Sequence, residues 1–181
     1  YILGVWRDDE QDFLARAQCP VTLARLLVGL PEPHAASYRG AVARELLEAI
    51  ERGRERAEVV QSAVLALGQI GTNDGKNSLD LRIRQALSHV SLQVSEPQAR
   101  AFALMAAAEV GARFGNELTS AGVDDARGFL VEQILNGKNA LQPWAGLAGG
   151  VLCRQLQRQG AVHPALETLR RVLRSAPTYC H

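Results

Sequence analysis

Apolar residues recur three or four positions apart along most of the chain, which is the spacing of a helix packed on one side. Leu79, Ile83 and Leu87, for example, fall on one helical face. Short breaks rich in Gly, Asn, Pro and Ser separate these stretches, and no long stretch alternates apolar and polar residues as a half-buried strand would. The pattern therefore predicts an all-α chain in which helices and turns alternate.

One apolar pattern returns at a nearly constant interval. Residues 63–71 read Ala-Val-Leu-Ala-Leu-Gly-Gln-Ile-Gly, and residues 103–111, which are 40 positions later, read Ala-Leu-Met-Ala-Ala-Ala-Glu-Val-Gly. A third version, Ala-Gly-Leu-Ala-Gly-Gly-Val-Leu, occupies residues 145–152. Each version is followed by a second helical pattern. A repeat of this length predicts stacked helical hairpins, because a single hairpin buries its apolar face only against its neighbours.

Glycines at equivalent places in the repeats point to close packing. Gly68 lies in the first version, and Gly149 and Gly150 lie in the third. A glycine inside a helix costs about 1 kcal/mol relative to alanine. We therefore expect a neighbouring backbone to approach closely at all three positions.

Turn chemistry predicts where two of the helices begin. Ser95 precedes Pro97 by two residues, so its hydroxyl is expected to cap a helix whose first turn holds the proline. Pro164 is expected to open the last helix in the same way.

Residues 96–100, Glu-Pro-Gln-Ala-Arg, lead into the second version of the repeat, and this combination resembles the HEAT-repeat family. The first version lacks the proline, and the third has Gln142 where Arg100 aligns. The resemblance extends from about residue 40 to 175 and implies an α-α superhelix, or solenoid, of about four HEAT-like hairpins.

Three regions are expected. Residues 1–38, which contain Pro20, Pro31 and Pro33, follow the repeat poorly and are predicted to form an irregular helical capping segment. Residues 39–176 form the repeat array, and residues 177–181 a tail. Because the chain starts at Tyr1 rather than at Met, we expect a piece of a longer protein.

The composition indicates which broad classes of protein fit this chain. The chain is 47% hydrophobic, 22% charged and 5% aromatic, as in a folded protein whose interior is filled by small and aliphatic residues. Its net charge of +1 gives no general support for nucleic-acid binding, and no apolar run is long enough to span a membrane. Cys19, Cys153 and Cys180 are too scattered for a disulfide framework or a zinc site, so two packed thiols and one near the chain end are expected.

No catalytic or metal-binding motif is evident. No two of the four histidines (His34, His89, His163, His181) are three or four residues apart, and none belongs to a set of three metal-ligating residues at helical spacing. Gly71 to Asn77 is similar to a phosphate-binding loop, but its glycines are too close and Asn follows Lys76, so we interpret it as a connecting loop. The sequence predicts no catalytic residue, no metal and no cofactor.

The predicted function is that of a non-catalytic scaffold that binds another protein along the concave face of its second helices. Aligning the apolar stripes of those helices gives a candidate binding row. The row consists of Arg82, Gln85, His89, Glu132, Arg171 and Arg174. Ordinary solvated helix surface is the competing interpretation.

Two other classes stay open. A HEAT-like enzyme, similar to bilin lyases or DNA glycosylases, is one of them, although Trp144 aligns with Phe102 and is expected to be buried. A nucleic-acid-binding solenoid is the other, since residues 151–181 contain five arginines and one acid, Glu167, for a net charge of +4.

Overall fold

The computed structural model describes residues 1–31, 34–75, 78–115, 121–160 and 164–175, and within these it contains nine α-helices and no strand. The prediction of an all-α chain is confirmed. The helices are α1 (Ile2–Arg7), α2 (Phe13–Val28), α3 (His34–Arg52), α4 (Ala57–Ile70), α5 (Ser78–Gln93), α6 (Pro97–Ala112), α7 (Ala121–Asn136), α8 (Gln142–Arg158) and α9 (Pro164–Ser175).

The helices form two rows. In the first row, α2, α4, α6 and α8 each pack against the next, and in the second row α3, α5, α7 and α9 do the same. Every substantial contact joins helices that are at most two positions apart in chain order. The repeated segments 63–71, 103–111 and 145–152 lie in α4, α6 and α8, which are consecutive neighbours in the first row. The HEAT-type superhelix itself remains a prediction.

The first-row helix α6 is buried on two sides, which explains its many alanines. Ala103 and Ala106 belong to a core that extends back to α1, whereas Leu104 and Ala108 belong to a second core that extends forward to α9. Small side chains are needed on both sides because α4 and α8 flank the same helix.

The predicted close approach of a neighbouring backbone is confirmed at one of the three glycines and is wrong at the other two. A Cβ atom at Gly68 would lie 2.8 Å from the Cβ and 3.0 Å from the Cα of Ala106, so α4 and α6 do approach closely there. At Gly149 a Cβ would meet only side chains, the nearest being that of Leu169 at 3.4 Å, so no backbone is close. Gly150 has no other atom within 4 Å of such a position, and the prediction for this residue is wrong.

The N-terminal segment, residues 1–38, contains α1, all of α2 and the start of α3, and α2 packs along α4 as a member of the first row. Pro20 is buried inside α2. The helix continues through this residue although a proline in a helix interior removes one N–H donor, so Pro20 does not mark a boundary. Pro33 lies outside the described residues.

The start of α6 is capped by a different residue from the one predicted. The carboxylate of Glu96, not the hydroxyl of Ser95, accepts hydrogen bonds from the backbone N–H groups of Gln98 (3.0 Å) and Ala99. A carboxylate at this end also interacts favourably with the helix dipole. Pro164 does begin α9, as predicted, while His163 lies outside the described residues.

Trp144 is not buried as its alignment with Phe102 suggested, since 40% of it is exposed. Phe102 lies on α6, which is flanked on both sides by first-row helices. Trp144 lies near the start of α8 and belongs to neither of the two cores.

The described part of the loop between α4 and α5, residues 71–75, is buried or half-buried, and it is held by Arg84 of α5 and by Arg113, which follows α6. Nη1 of Arg113 donates to the carbonyls of Gly68 and Gly71, both at 2.7 Å, and Nη1 of Arg84 donates to the carbonyl of Asp74 at 3.1 Å. With this loop between them, α5 packs mainly against α6 and α3 rather than against α4. Residues 71–75 are thus a structural connection, and Lys76 and Asn77 lie outside the described residues.

Candidate interaction surface on the second-row helices

The six residues of the predicted binding row lie on three consecutive second-row helices, and all six are exposed. We call the exposed side of α5, α7 and α9 the second-row surface. Helix α5 carries Arg82, Gln85 and His89, α7 carries Glu132, and α9 carries Arg171 and Arg174. The side chains of His34 and His89 are both exposed, and His181 lies outside the described residues.

Two of the six already have partners within the chain. Nη2 of Arg82 lies 2.9 Å from Oε1 of Glu51 on α3, and Oε1 of Glu132 accepts from the amide of Asn136 at 3.1 Å. Both contacts are exposed to solvent, so each contributes little to stability and can be exchanged for a contact with a partner.

A groove of about 360 Å³ runs between α5 and α7 on this surface. We call it the α5–α7 groove. It exists because these two helices touch each other only slightly, while both pack on α6. Its lining consists of Leu81, Arg84, Gln85 and Ser88 from α5, Ala107 from α6, and Asp125, Ala126 and Phe129 from α7.

The groove combines apolar walls with polar groups that can make hydrogen bonds. Leu81 is 39% exposed, and Phe129 is half-buried against both cores. Gln85 offers an amide, which both donates and accepts hydrogen bonds, and Ser88 offers a hydroxyl that does the same. This mixture suits an inserted apolar side chain whose own backbone needs hydrogen-bond partners.

An ion pair connects the two helices at the groove. Arg84 is only 7% exposed, and its Nη2 lies 3.2 Å from Oδ2 of Asp125, whose carboxylate is about half exposed. The guanidinium is held in place because it also donates to the α4–α5 loop. Sequence reasoning did not identify this pair, since the two residues are 41 positions apart and no local spacing connects them.

A second cavity, of about 510 Å³, lies among α1, α2 and α3, and we call it the N-terminal cavity. Its lining contains as many arginines as carboxylates, and most of these charges are paired. Arg7 pairs with Glu45, Nη2 of Arg16 lies 2.9 Å from Glu55, and Nη2 of Arg52 lies 3.0 Å from Glu48. The last pair joins residues that are four positions apart on α3. Because the opposite charges neutralise each other, this cavity lacks a preference for a charged ligand.

The described residues hold no group of three or more His, Cys, Asp or Glu side chains arranged for a metal ion. Cys19 and Cys153 are buried free thiols, as predicted, and burial raises the pKa of both. Cys180 lies outside the described residues. In the part of the chain that the structure covers, every helix is too short or too polar to cross a membrane.

Comparison with protein-family models, with curated proteins and with solved structures found no match to this chain.

Proposed function

We propose that this chain is a non-catalytic, HEAT-type interaction scaffold that binds a protein partner along its second-row surface. The α5–α7 groove carries the proposal. It is a preformed depression on the same surface as the predicted binding row, and Gln85 belongs to both.

The groove fits a protein partner through its size and lining. At about 360 Å³ it accommodates one or two apolar side chains, and it opens along the surface rather than enclosing a ligand. Leu81 is an exposed leucine beside Gln85, and an exposed apolar residue rimmed by polar groups is typical of an interaction site. A single apolar side chain that is anchored in such a depression can supply a large part of the binding energy of an interface.

Substitution of Leu81 by arginine tests the proposal, with Leu92 as a matched control. Both leucines lie on α5 and are similarly exposed, at 39% and 44%, but only Leu81 lines the groove. Proteins retained by the wild-type chain from an extract of its source organism would be identified by quantitative mass spectrometry. Their affinities for purified Leu81→Arg and Leu92→Arg would then be measured by calorimetry.

We expect a directly bound protein to lose about 2 kcal/mol of binding free energy with Leu81→Arg, which is roughly a thirtyfold weaker Kd. Leu92→Arg is expected to bind as the wild type does. A bound protein whose Kd is unchanged by Leu81→Arg would contradict the proposed site, and the absence of any directly bound protein would contradict the scaffold function.

A further inference from the structure

The last helix pair carries a concentration of arginines, which we call the C-terminal arginine cluster. It consists of Arg154 and Arg158 on α8 and of Arg170, Arg171 and Arg174 on α9. Four of the five are exposed, and Arg170 is half-buried.

Helix packing brings the two groups of arginines together. Nη2 of Arg170 donates to Oε1 of Gln157 at 3.1 Å, which fixes α9 beside the end of α8. Arg154 is three residues before Gln157 and so lies on the same side of α8 as this contact, while Arg158 is the last residue of that helix. Arg174 is one helical turn after Arg170 and continues the same side of α9.

The cluster differs from the other arginine-rich part of the chain because its charge is not neutralised. Among the described residues, none of its five guanidiniums lies within ion-pair distance of a carboxylate. The four arginines that line the N-terminal cavity instead share it with four carboxylates, and three of them, Arg7, Arg16 and Arg52, are paired. From residue 151 to 181 the sequence contains only one acid, Glu167, so five arginines leave a net charge of +4.

We infer that the C-terminal arginine cluster binds an acidic segment of a partner protein, rich in aspartate or glutamate. The planar fork of arginine matches a carboxylate with two parallel hydrogen bonds, which makes it well suited to such a segment. Helix α9 also presents Val172 and Leu173, which are half-buried, so an apolar residue of the partner can pack next to its carboxylates.

The surroundings favour an acidic polypeptide over a nucleic acid. The second-row neighbour of α9 is α7, and its exposed Glu132 has no cation within ion-pair distance among the described residues, so a nucleic-acid strand that continued along the surface would meet negative charge there. Single strands also need aromatic side chains on which the bases stack. The aromatic residue of α8, Trp144, is ten residues before Arg154, which is roughly 15 Å along the helix.

This inference rests on the proposed function, since the inference specifies the charge of a segment that the proposed scaffold would bind. The two are nevertheless separable, because the cluster lies on α8 and α9 and the groove lies between α5 and α7. Binding by the cluster is expected to survive Leu81→Arg.

The test measures the fluorescence anisotropy of a labelled peptide of alternating glutamate and leucine residues, titrated with the full chain at low and at moderate salt. The variants are Arg171→Glu with Arg174→Glu, and the charge-neutral Arg171→Gln with Arg174→Gln. Arg25→Glu is the matched control, because Arg25 is an exposed arginine on α2, outside the cluster. Labelled single-stranded oligothymidine is the competing probe, and circular dichroism checks that each variant is folded.

We expect the glutamate double variant to weaken peptide binding by at least about tenfold and the glutamine double variant to weaken it less, with Arg25→Glu unchanged. Absence of peptide binding at low salt, or equal loss with Arg25→Glu, would overturn the inference. Tighter binding of oligothymidine than of the peptide would overturn it in favour of a nucleic-acid site.

Discussion

At the scale of single residues, two glycines of the first row have opposite surroundings and provide a test of the close packing between helices. A Cβ added at Gly68 would lie 2.8 Å from the Cβ and 3.0 Å from the Cα of Ala106, and a backbone atom cannot move aside alone. A Cβ added at Gly150 would meet nothing within 4 Å. Both glycines lie inside helices, so the helix-propensity gain from alanine is the same for both.

Gly68→Ala is therefore expected to lower the free energy of unfolding by about 1–3 kcal/mol, because α4 and α6 must separate. Gly150→Ala is expected to raise it by up to about 1 kcal/mol, since only the propensity gain remains. Urea denaturation followed by circular dichroism measures both. Equal shifts in the same direction would show that α4 and α6 are not in close contact at Gly68.

Glu109 gives a prediction about pH. It is half-buried on α6, and burial raises its pKa, although the positive charge of Arg113 partly offsets this effect. A carboxyl group whose pKa is higher in the folded state than in the unfolded state contributes to stability at low pH. Its contribution is complete below the unfolded-state pKa of about 4.3 and is lost as the pH rises through the folded-state pKa. At pH 7 the charged Glu109 thus costs stability.

We expect Glu109→Gln to raise the free energy of unfolding at pH 7, and the advantage over the wild type to shrink as the pH falls towards about 4.3. Denaturant titrations at several pH values measure the difference. Glu10→Gln, a substitution at an exposed loop position, serves as the control. An advantage that grows on acidification would show that the charge of Glu109 is stabilised by its surroundings rather than penalised.

At the scale of elements, the second row depends on the buried polar contacts that hold the α4–α5 loop. Asp80, in the first turn of α5, is fully buried; its Oδ1 accepts from the Thr72 N–H at 2.7 Å and pairs with Arg39 on α3. This one carboxylate connects α3, the loop and α5. Removal of the Asp80 carboxylate would leave the partly buried guanidinium of Arg39 without a counter-charge.

Asp80→Ala is expected to lower the free energy of unfolding by about 3 kcal/mol, because removal of one partner of a buried ion pair leaves the other partner without a counter-charge. Asp80→Asn keeps the shape and is expected to cost less. Glu48→Ala, which removes the exposed pair with Arg52, is expected to cost about 0.5 kcal/mol or less. Thermal or urea denaturation distinguishes the three variants. A cost for Asp80→Ala as small as that for Glu48→Ala would contradict a connecting role for this carboxylate.

The elements also show how far sequence reasoning reaches for this chain. Periodicity located the helices of the repeats and placed 63–71, 103–111 and 145–152 in neighbouring helices, because apolar spacing and small residues act locally. It placed Gln85 on an exposed helix face for the same reason. It missed the Arg84–Asp125 pair, which depends on contacts between residues 41 positions apart. It also misjudged the burial of Trp144, because alignment with Phe102 gives its position in the repeat but not the side chains that surround it.

At the scale of the whole molecule, the contacts describe a linear succession. Every substantial contact joins helices that are at most two positions apart in chain order. Helix α6, for example, packs against α4, α5, α7 and α8. In such an arrangement stability is a sum of contacts between neighbours, so helices with neighbours on both sides open less readily than those at the ends. A closed domain whose ends touch would instead open as one cooperative unit.

Hydrogen exchange measured by mass spectrometry tests this reasoning. We expect the amides of α4 and α6 to exchange slowest and those of α1 and α9 fastest, with opening free energies that differ by roughly 2 kcal/mol or more. Gly68→Ala weakens one contact between neighbours, and it should therefore speed exchange in α2 to α4 more than in α8 and α9. Gly150→Ala, which disturbs no neighbour, should leave the order unchanged. Uniform protection from α2 to α8, or a uniform response to Gly68→Ala, would contradict the linear arrangement and with it the HEAT-type array on which the proposed function depends.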